Sequence, residues 1–255
     1  RKDLMSDDFS YLIDLYTSGG AEPESLDVPK HHAPRGAKDF GRRSRRIESR
    51  RGATIDFLLQ GNLPVRAGLW LVQYAARTAG NSGPTALIHL GAEECSVEGY
   101  GVRESNDSPP PALLNRIGEV VHWLMETVDR VLIVPSAQEQ VESIVQTRER
   151  LLLFTGGDDA AVVSAYRLAR RLADIAKEQE LPLPRAGLVV VGADPQKAQE
   201  VSTRIADTAA RFMDMDLPLE AILQRMDVLD SPMRMRIPVG PTFGVNEFVE
   251  QIRRC

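Results

Sequence analysis

A series of short apolar runs, each followed by a helical pattern, constrains the fold more than any other feature of the sequence. The runs are ATIDFLLQ (53–60), PTALIHLG (84–91), DRVLIVP (129–135), RLLLFTGG (150–157) and RAGLVVVGA (185–193). They are apolar throughout rather than alternating, which is typical of parallel strands buried on both faces. Repeated units of this kind predict a doubly wound α/β domain, with helices on both faces of a mostly parallel sheet of about seven strands.

Two further strands and several helices complete this pattern. The alternating segment SVEGYGV (96–102) is predicted to be a short strand or an extended loop, and LEAILQRM (219–226) is predicted to be the last strand. Predicted helices cover 65–79, a segment that begins at the prolines 109–111, and 139–149, 158–180, 195–213 and 246–254. Proline is tolerated in a first helical turn, because its missing N–H would have no partner there.

The first 52 residues differ in composition from the rest of the chain. Much of this stretch is rich in Pro, Gly, Ser and charge, so it cannot bury enough apolar surface to offset the entropy of ordering. We therefore predict a flexible arm and linker over 1–52 and a single α/β domain over 53–255. Near the start of the arm, four apolar residues at helical spacing predict a short helix at 7–17 that docks on the domain or on a partner: Phe9, Leu12, Ile13 and Tyr16.

Charge is segregated between the linker and the domain. Residues 30–51 hold nine Lys or Arg and two acidic residues, so their net charge is +7. Because the whole chain has a net charge of −5, the remaining residues carry a net charge of −12. Such a run either attracts nucleic acid or an anionic membrane, or is a solvated linker that folds back on the acidic domain. The residues that would contact an anion or nucleic acid are Arg42, Arg43, Arg45, Arg46, Arg50 and Arg51.

Cysteine usage and hydropathy favour a cytoplasmic protein. Cys95 and Cys255 cannot form a disulfide framework and do not have the spacing of metal ligands. The sequence contains no apolar run of membrane-spanning length, and its first residues lack the apolar stretch of a signal peptide. His89 and His122 lie among apolar residues, where a histidine in the core is the expected outcome. We expect neither a metal nor a cofactor.

The segment FLLQGNLPVRAGLW has the outline of a phosphate-binding strand, loop and helix. The apolar run reaches Gly61, passes through residues typical of a loop and opens into a helical pattern. A phosphate loop needs several glycines, a lysine for the phosphates and a hydroxyl for magnesium, together with an aspartate at a neighbouring strand end. The glycine is present, but the lysine is not.

The order of elements resembles the MinD/ParA class of deviant Walker-A ATPases, including its flagellar-number and septum-site members, over most of 53–250. The helix WLVQYAARTA is similar to the helix that follows the phosphate loop in that family. Thr155 and the Ser164-Ala165-Tyr166 segment fall where the family has a Thr-x-Pro-Glu turn and a DAY sequence. The resemblance implies a P-loop NTPase-like domain of the SIMIBI group.

The chemistry of the family is missing from the matching positions. When the motif Gly-Lys-Gly-Gly-Val-Gly-Lys-Thr is set on 61–68 without a gap, only Gly61 and Val65 match it. The departures in this degenerate phosphate loop are Asn62 for the signature lysine, Leu63, Pro64 and Arg66 for glycines, Ala67 for the phosphate lysine and Gly68 for the magnesium threonine. The Walker B aspartate falls on Val134, and the paired aspartates fall on His89 and Gly91.

The leading interpretation is a catalytically inactive pseudo-ATPase that serves as a protein-interaction, regulatory or scaffolding module in bacterial cell organisation. Its partner would be an active ATPase or a polar, flagellar or envelope component, and homodimer formation stays open. One alternative is an ATP- or GTP-binding switch that uses Arg66 in an unconventional phosphate loop. Another is a nucleic-acid-associated protein that acts through its basic linker.

Overall fold

Eight strands and six helices make up the described part of the chain. The computed structural model describes residues 53–61, 63, 67–91, 93–102, 117–135, 141–225, 232–239 and 244–254. The strands are β1 (Thr54–Gln60), β2 (Thr85–Leu90), β3 (Glu94–Tyr100), β4 (Arg130–Pro135), β5 (Arg150–Gly156), β6 (Ala186–Val191), β7 (Leu219–Leu223) and β8 (Met233–Pro238). The helices are α1 (Ala67–Ser82), α2 (Ile117–Thr127), α3 (Val141–Thr147), α4 (Asp159–Glu178), α5 (Pro195–Met213) and α6 (Val245–Arg254).

All eight strands form one sheet in the order β7, β6, β5, β1, β4, β2, β3, β8. Strand β3 is antiparallel to both of its neighbours, and every other neighbouring pair is parallel. The predicted α/β class with a mostly parallel sheet is therefore confirmed. The predicted number of about seven strands is wrong, because β8 was not expected from the sequence.

Strands β3 and β8 differ from the central strands because only one of their faces is buried. In β8, Met235 and Ile237 are buried while Arg234 and Arg236 are exposed. This period of two is typical of an antiparallel strand with one face in water. Arginine and methionine are not among the β-branched and aromatic residues that are enriched in strands, so the segment MRMRIP was not predicted to be a strand.

One face of the sheet is covered by α1. Trp70, Leu71 and Tyr74 of this helix belong to one core cluster with buried residues from the seven strands β1 to β7, among them Leu58 and Leu152. Helix α1 contacts both β3 and β7, although five strands lie between these two in the sheet order. Helix α1 therefore reaches across this face from β3 to β7.

The other face is covered by the remaining helices. Phe57, Ile133 and Leu153 are each next in sequence to a strand residue of the cluster under α1, so their side chains point to the other face. All three are fully buried, and this face is therefore also shielded from water. Helix α4 packs against β5, α3 and α5, and α6 packs against α2 and α3. The described residues all belong to one compact unit that spans Arg51–Cys255.

Candidate functional site

The carboxyl end of β1 is where the sequence predicts a degenerate phosphate loop. The Gly61 N–H donates to the Phe154 carbonyl oxygen at 3.4 Å. A Cβ atom at Gly61 would lie 3.0 Å from Ser164 Oγ and 3.3 Å from the Ala165 nitrogen of α4. The lack of a side chain at Gly61 thus lets α4 approach closely without displacement of Ser164, which is a structural reason for the glycine that involves no ligand.

The following positions of this loop are described only in part. Leu63 packs against the core under α1, and α1 begins at Ala67. Gly68 is exposed, and a Cβ atom there would meet no described atom within 4 Å. Asn62, Pro64 and Arg66 lie outside the described residues.

The position that corresponds to the Walker B aspartate belongs to the hydrophobic core. Val134 stands near the carboxyl end of β4, is 7% exposed and packs in the cluster that contains Trp70 and Leu71. His89 of β2 is its partner in register. Burial lowers the pKa of His89 despite the nearby Glu98 carboxylate, so the imidazole is neutral at pH 7. Neither of these two described positions therefore presents a carboxylate.

The TGGDD segment after β5 caps a helix. The Asp158 side chain accepts a hydrogen bond from the Ala161 N–H at 2.9 Å, as expected for the first turn of α4. A Cβ atom at Gly157 would lie 3.1 Å from the Ala193 Cβ, so this glycine allows the loops after β5 and β6 to approach each other. The described contacts of this segment are therefore structural, because one caps α4 and the other lets two loops pack together.

A cleft that sequence reasoning missed opens beside α1 at the carboxyl end of β7. Its volume is about 590 Å³, and its polar lining comes from Gln73 and Arg77 of α1 and from Gln224 and Arg225, which follow β7. Arg77 Nη1 donates to the Ile222 carbonyl oxygen at 2.6 Å. The sequence did not reveal this cleft, because the predicted last strand (219–226) included Gln224 and Arg225. The structure ends β7 at Leu223 and places both residues after the strand, where ligand-binding loops are expected.

The opposite end of the sheet holds a buried ion cluster. Asp56 of β1 is fully buried and accepts hydrogen bonds from Arg150 Nε at 2.7 Å and from Arg130 Nη1 at 3.1 Å. Arg150 also pairs with Glu220 of β7 at 3.2 Å. The hydrogen bond with Asp56 raises the pKa of the Arg150 guanidinium, so Arg150 stays protonated.

The remaining reactive side chains offer no alternative centre within the described residues. Burial raises the pKa of the Cys95 thiol to about 12, so this side chain is not a thiolate at neutral pH. His122 was expected in the core, but it lies on the solvent side of α2 with 67% of its side chain exposed and pairs with Glu126. In the described part of the chain, no group of three His, Cys, Asp or Glu side chains is placed to hold a metal ion.

The residues predicted to bind a partner or an anion from the arm lie outside the described residues. They are Phe9, Leu12, Ile13, Tyr16, Arg42, Arg43, Arg45, Arg46, Arg50 and Arg51. None of the described helices is both long enough and apolar enough to cross a membrane.

Comparison with known proteins adds no family to this description. No family model matches the chain, and no curated protein matches it significantly.

Proposed function

We propose that this chain is a catalytically inactive relative of the MinD/ParA ATPases that works by binding other proteins in the cytoplasm. The observation that carries the proposal is the core valine, Val134, at the strand end where the resemblance requires an aspartate. The neighbouring strand end carries His89, whose pKa is lowered by burial. Both positions that would orient magnesium and water are thus occupied by groups that are uncharged at pH 7.

The geometry of Gly61 supports the same proposal. In an active phosphate loop, glycines let the backbone approach the phosphates. Here the lack of a side chain at Gly61 is explained by contact with Ser164 and the backbone of Ala165. The single glycine that the loop retains is therefore accounted for without nucleotide.

The chemical consequence is loss of phosphoryl transfer. Catalysis of that reaction depends on metal ions and cationic groups that neutralise the charge developing on the transferred phosphoryl group. Ala67 and Gly68 stand where the phosphate lysine and the magnesium threonine would be. We expect neither hydrolysis nor tight binding of nucleoside triphosphates at this loop.

A melting experiment tests the loss of nucleotide binding. The full chain is heated with increasing ATP or GTP at constant magnesium, and the melting temperature is recorded. A ligand that binds the native state raises this temperature. We expect no saturable rise. A saturable rise that is lost in Arg66→Ala would replace the proposal with a nucleotide-dependent switch.

A pull-down tests the interaction role of the arm. The full chain serves as bait, with a variant in which Phe9, Leu12 and Ile13 are changed to serine. A matched control changes Ser18 and Ser25 to alanine, which alters the arm but leaves its apolar stripe intact. We expect a partner, such as an intact deviant Walker-A ATPase or a polar, flagellar or envelope component, to be recovered with the parent and control baits but not with the serine variant. Equal recovery of every partner with all three baits would contradict the proposed role of the arm.

A further inference from the structure

The cleft beside α1 has the size and location of a small-molecule site. It encloses about 590 Å³, within the range of about 300–1,000 Å³ that is usual for ligand pockets. It opens at the carboxyl ends of β6 and β7, because Pro195 begins the helix after β6 and Gln224 follows β7. Ligands of parallel α/β sheets bind outside these strand ends.

The polar groups of the cleft are suited to an anion. Two guanidinium groups, on Arg77 and Arg225, and two carboxamides, on Gln73 and Gln224, line the cleft, and none of the described residues in its lining carries a carboxylate. This is unusual in a chain whose residues outside 30–51 carry a net charge of −12. The nearby Asp194 carboxylate is not part of the lining, and it accepts a hydrogen bond from the Lys197 N–H at 2.9 Å.

The guanidinium of Arg77 is held in place before any ligand arrives. Its Nη1 atom donates to the Ile222 carbonyl oxygen, while the side chain stays exposed at the cleft. Within the described residues, neither Arg77 nor Arg225 has a carboxylate partner, in contrast to Arg130 and Arg150. A guanidinium that is already positioned loses little entropy when it binds a phosphate or carboxylate in its planar fork.

The remaining wall of the cleft is apolar. Ala76 and Pro195 line it, together with Ile222 and Leu223 at the end of β7. An inorganic anion would leave this surface in contact with water. A ligand with an apolar or planar body would cover it and gain the free energy of burial.

From these features we propose that the cleft binds a small organic anion, whose phosphate or carboxylate head group contacts Arg77 and Arg225 and whose body lies on the apolar wall. The inference does not depend on the proposed function, because none of the described residues that line the cleft belongs to the degenerate phosphate loop or to the arm.

Calorimetric titration of the full chain tests the site with three probes. Phenyl phosphate and benzoate combine an anionic head with a flat apolar body, whereas inorganic phosphate has the head alone. We expect one equivalent of at least one aromatic probe to bind, and to bind more tightly than inorganic phosphate. The tighter of the two aromatic probes identifies the head group. Added salt should weaken the binding.

Two variants and a matched control locate the binding. Arg77→Gln and Arg225→Gln each remove a charge-assisted contact, so each should weaken binding by about tenfold to a hundredfold. The control, Arg234→Gln with Arg236→Gln, removes two exposed guanidiniums of β8, which lies at the opposite edge of the sheet from β7. It should change the affinity by less than about twofold, because exposed ion pairs contribute little to stability and these two are far from the cleft. Melting temperatures confirm that each variant is folded. Arg225→Gln keeps the test decisive if loss of the Arg77 hydrogen bond impairs folding.

Three results would overturn the proposal. The first is that neither aromatic probe binds. The second is that binding survives in the double variant Arg77→Gln/Arg225→Gln. The third is that the β8 control loses affinity as strongly as the cleft variants. The proposed function could fail separately, because its tests measure binding of nucleoside triphosphates and recovery of a protein partner.

Discussion

The two ends of the parallel strands handle charge in opposite ways. At the amino ends, Asp56 is buried and bonded to two arginines, one of which also pairs with Glu220. At the carboxyl ends, Arg77 and Arg225 line a cleft in which no carboxylate belongs to the part of the lining that the structure describes. The first arrangement is complete within the protein, whereas the second can accept an anion.

This contrast separates structural charge from functional charge. A buried charge is tolerated only when it is paired and hydrogen-bonded, and Asp56 meets that condition. The carboxyl ends are where ligands of such sheets bind, and there the central positions are occupied by Val134 and His89. We therefore assign the ion cluster to stability and the cleft to binding.

The largest effect is expected at the amino ends. Asp56→Ala would leave Arg130 and Arg150 facing the core without their shared partner, so the free energy of unfolding should fall by about 3 kcal/mol. Urea denaturation followed by circular dichroism measures this change. Glu220→Ala is the matched control, and it should cost less than about 1 kcal/mol because this pair is partly solvated. Similar losses in both variants would show that Asp56 is not the centre of the cluster.

A carboxylate placed at the other end of the sheet should be destabilising. Val134→Asp puts an unpaired acid against Trp70 and Leu71, and we expect a loss of about 2 kcal/mol at pH 7. Val134→Thr, which has a similar shape and no charge, should lose less. Both values come from the same denaturation experiment. A Val134→Asp variant as stable as the parent would mean that this position has a polar environment rather than a core environment.

A smaller effect is expected at the glycine of the loop. Gly61→Ala places a Cβ atom against Ser164 Oγ and the Ala165 nitrogen, so it should cost about 1 kcal/mol. A double-mutant cycle with Ser164→Ala measures whether the two sites are coupled. Removal of the hydroxyl should recover part of the loss. Strict additivity would contradict the steric role that we assign to Gly61.

The smallest effect concerns pH. The pKa of His89 is lowered from 6.5 by burial, so below pH 6.5 the unfolded chain binds this proton more readily than the folded chain. The contribution of His89 to stability is therefore complete above pH 6.5 and declines as the pH falls from 6.5 toward the folded value. His89→Gln should flatten this part of the stability profile. An unchanged profile in the variant would show that other groups cause the decline.

Much of the fold could be predicted because buried parallel strands have a simple signature. The continuous apolar runs identified β1, β2, β4, β5 and β6. Strand β8 was missed because alternation of methionine with arginine resembles a polar loop as closely as an edge strand.

The candidate site was less predictable because its parts are distant in the sequence. Arg77 and Arg225 are 148 positions apart by their residue numbers, and only the folded sheet brings them to one cleft. The ion cluster had a visible signal, since Asp56 interrupts an apolar strand and such a residue needs partners. Its partners, Arg130 and Arg150, begin the two neighbouring strands, and the sheet order was needed to identify them.

Release of phosphate from ATP tests most directly the claim that the carboxyl ends carry no hydrolytic site. The full chain is incubated with ATP and magnesium, and free phosphate is measured over time against a blank without protein. We predict a rate equal to the blank, both for the parent chain and for Val134→Asp, because one carboxylate does not replace the missing lysine and threonine. Saturable, magnesium-dependent phosphate release by the parent chain that is abolished in Arg66→Ala would contradict the account.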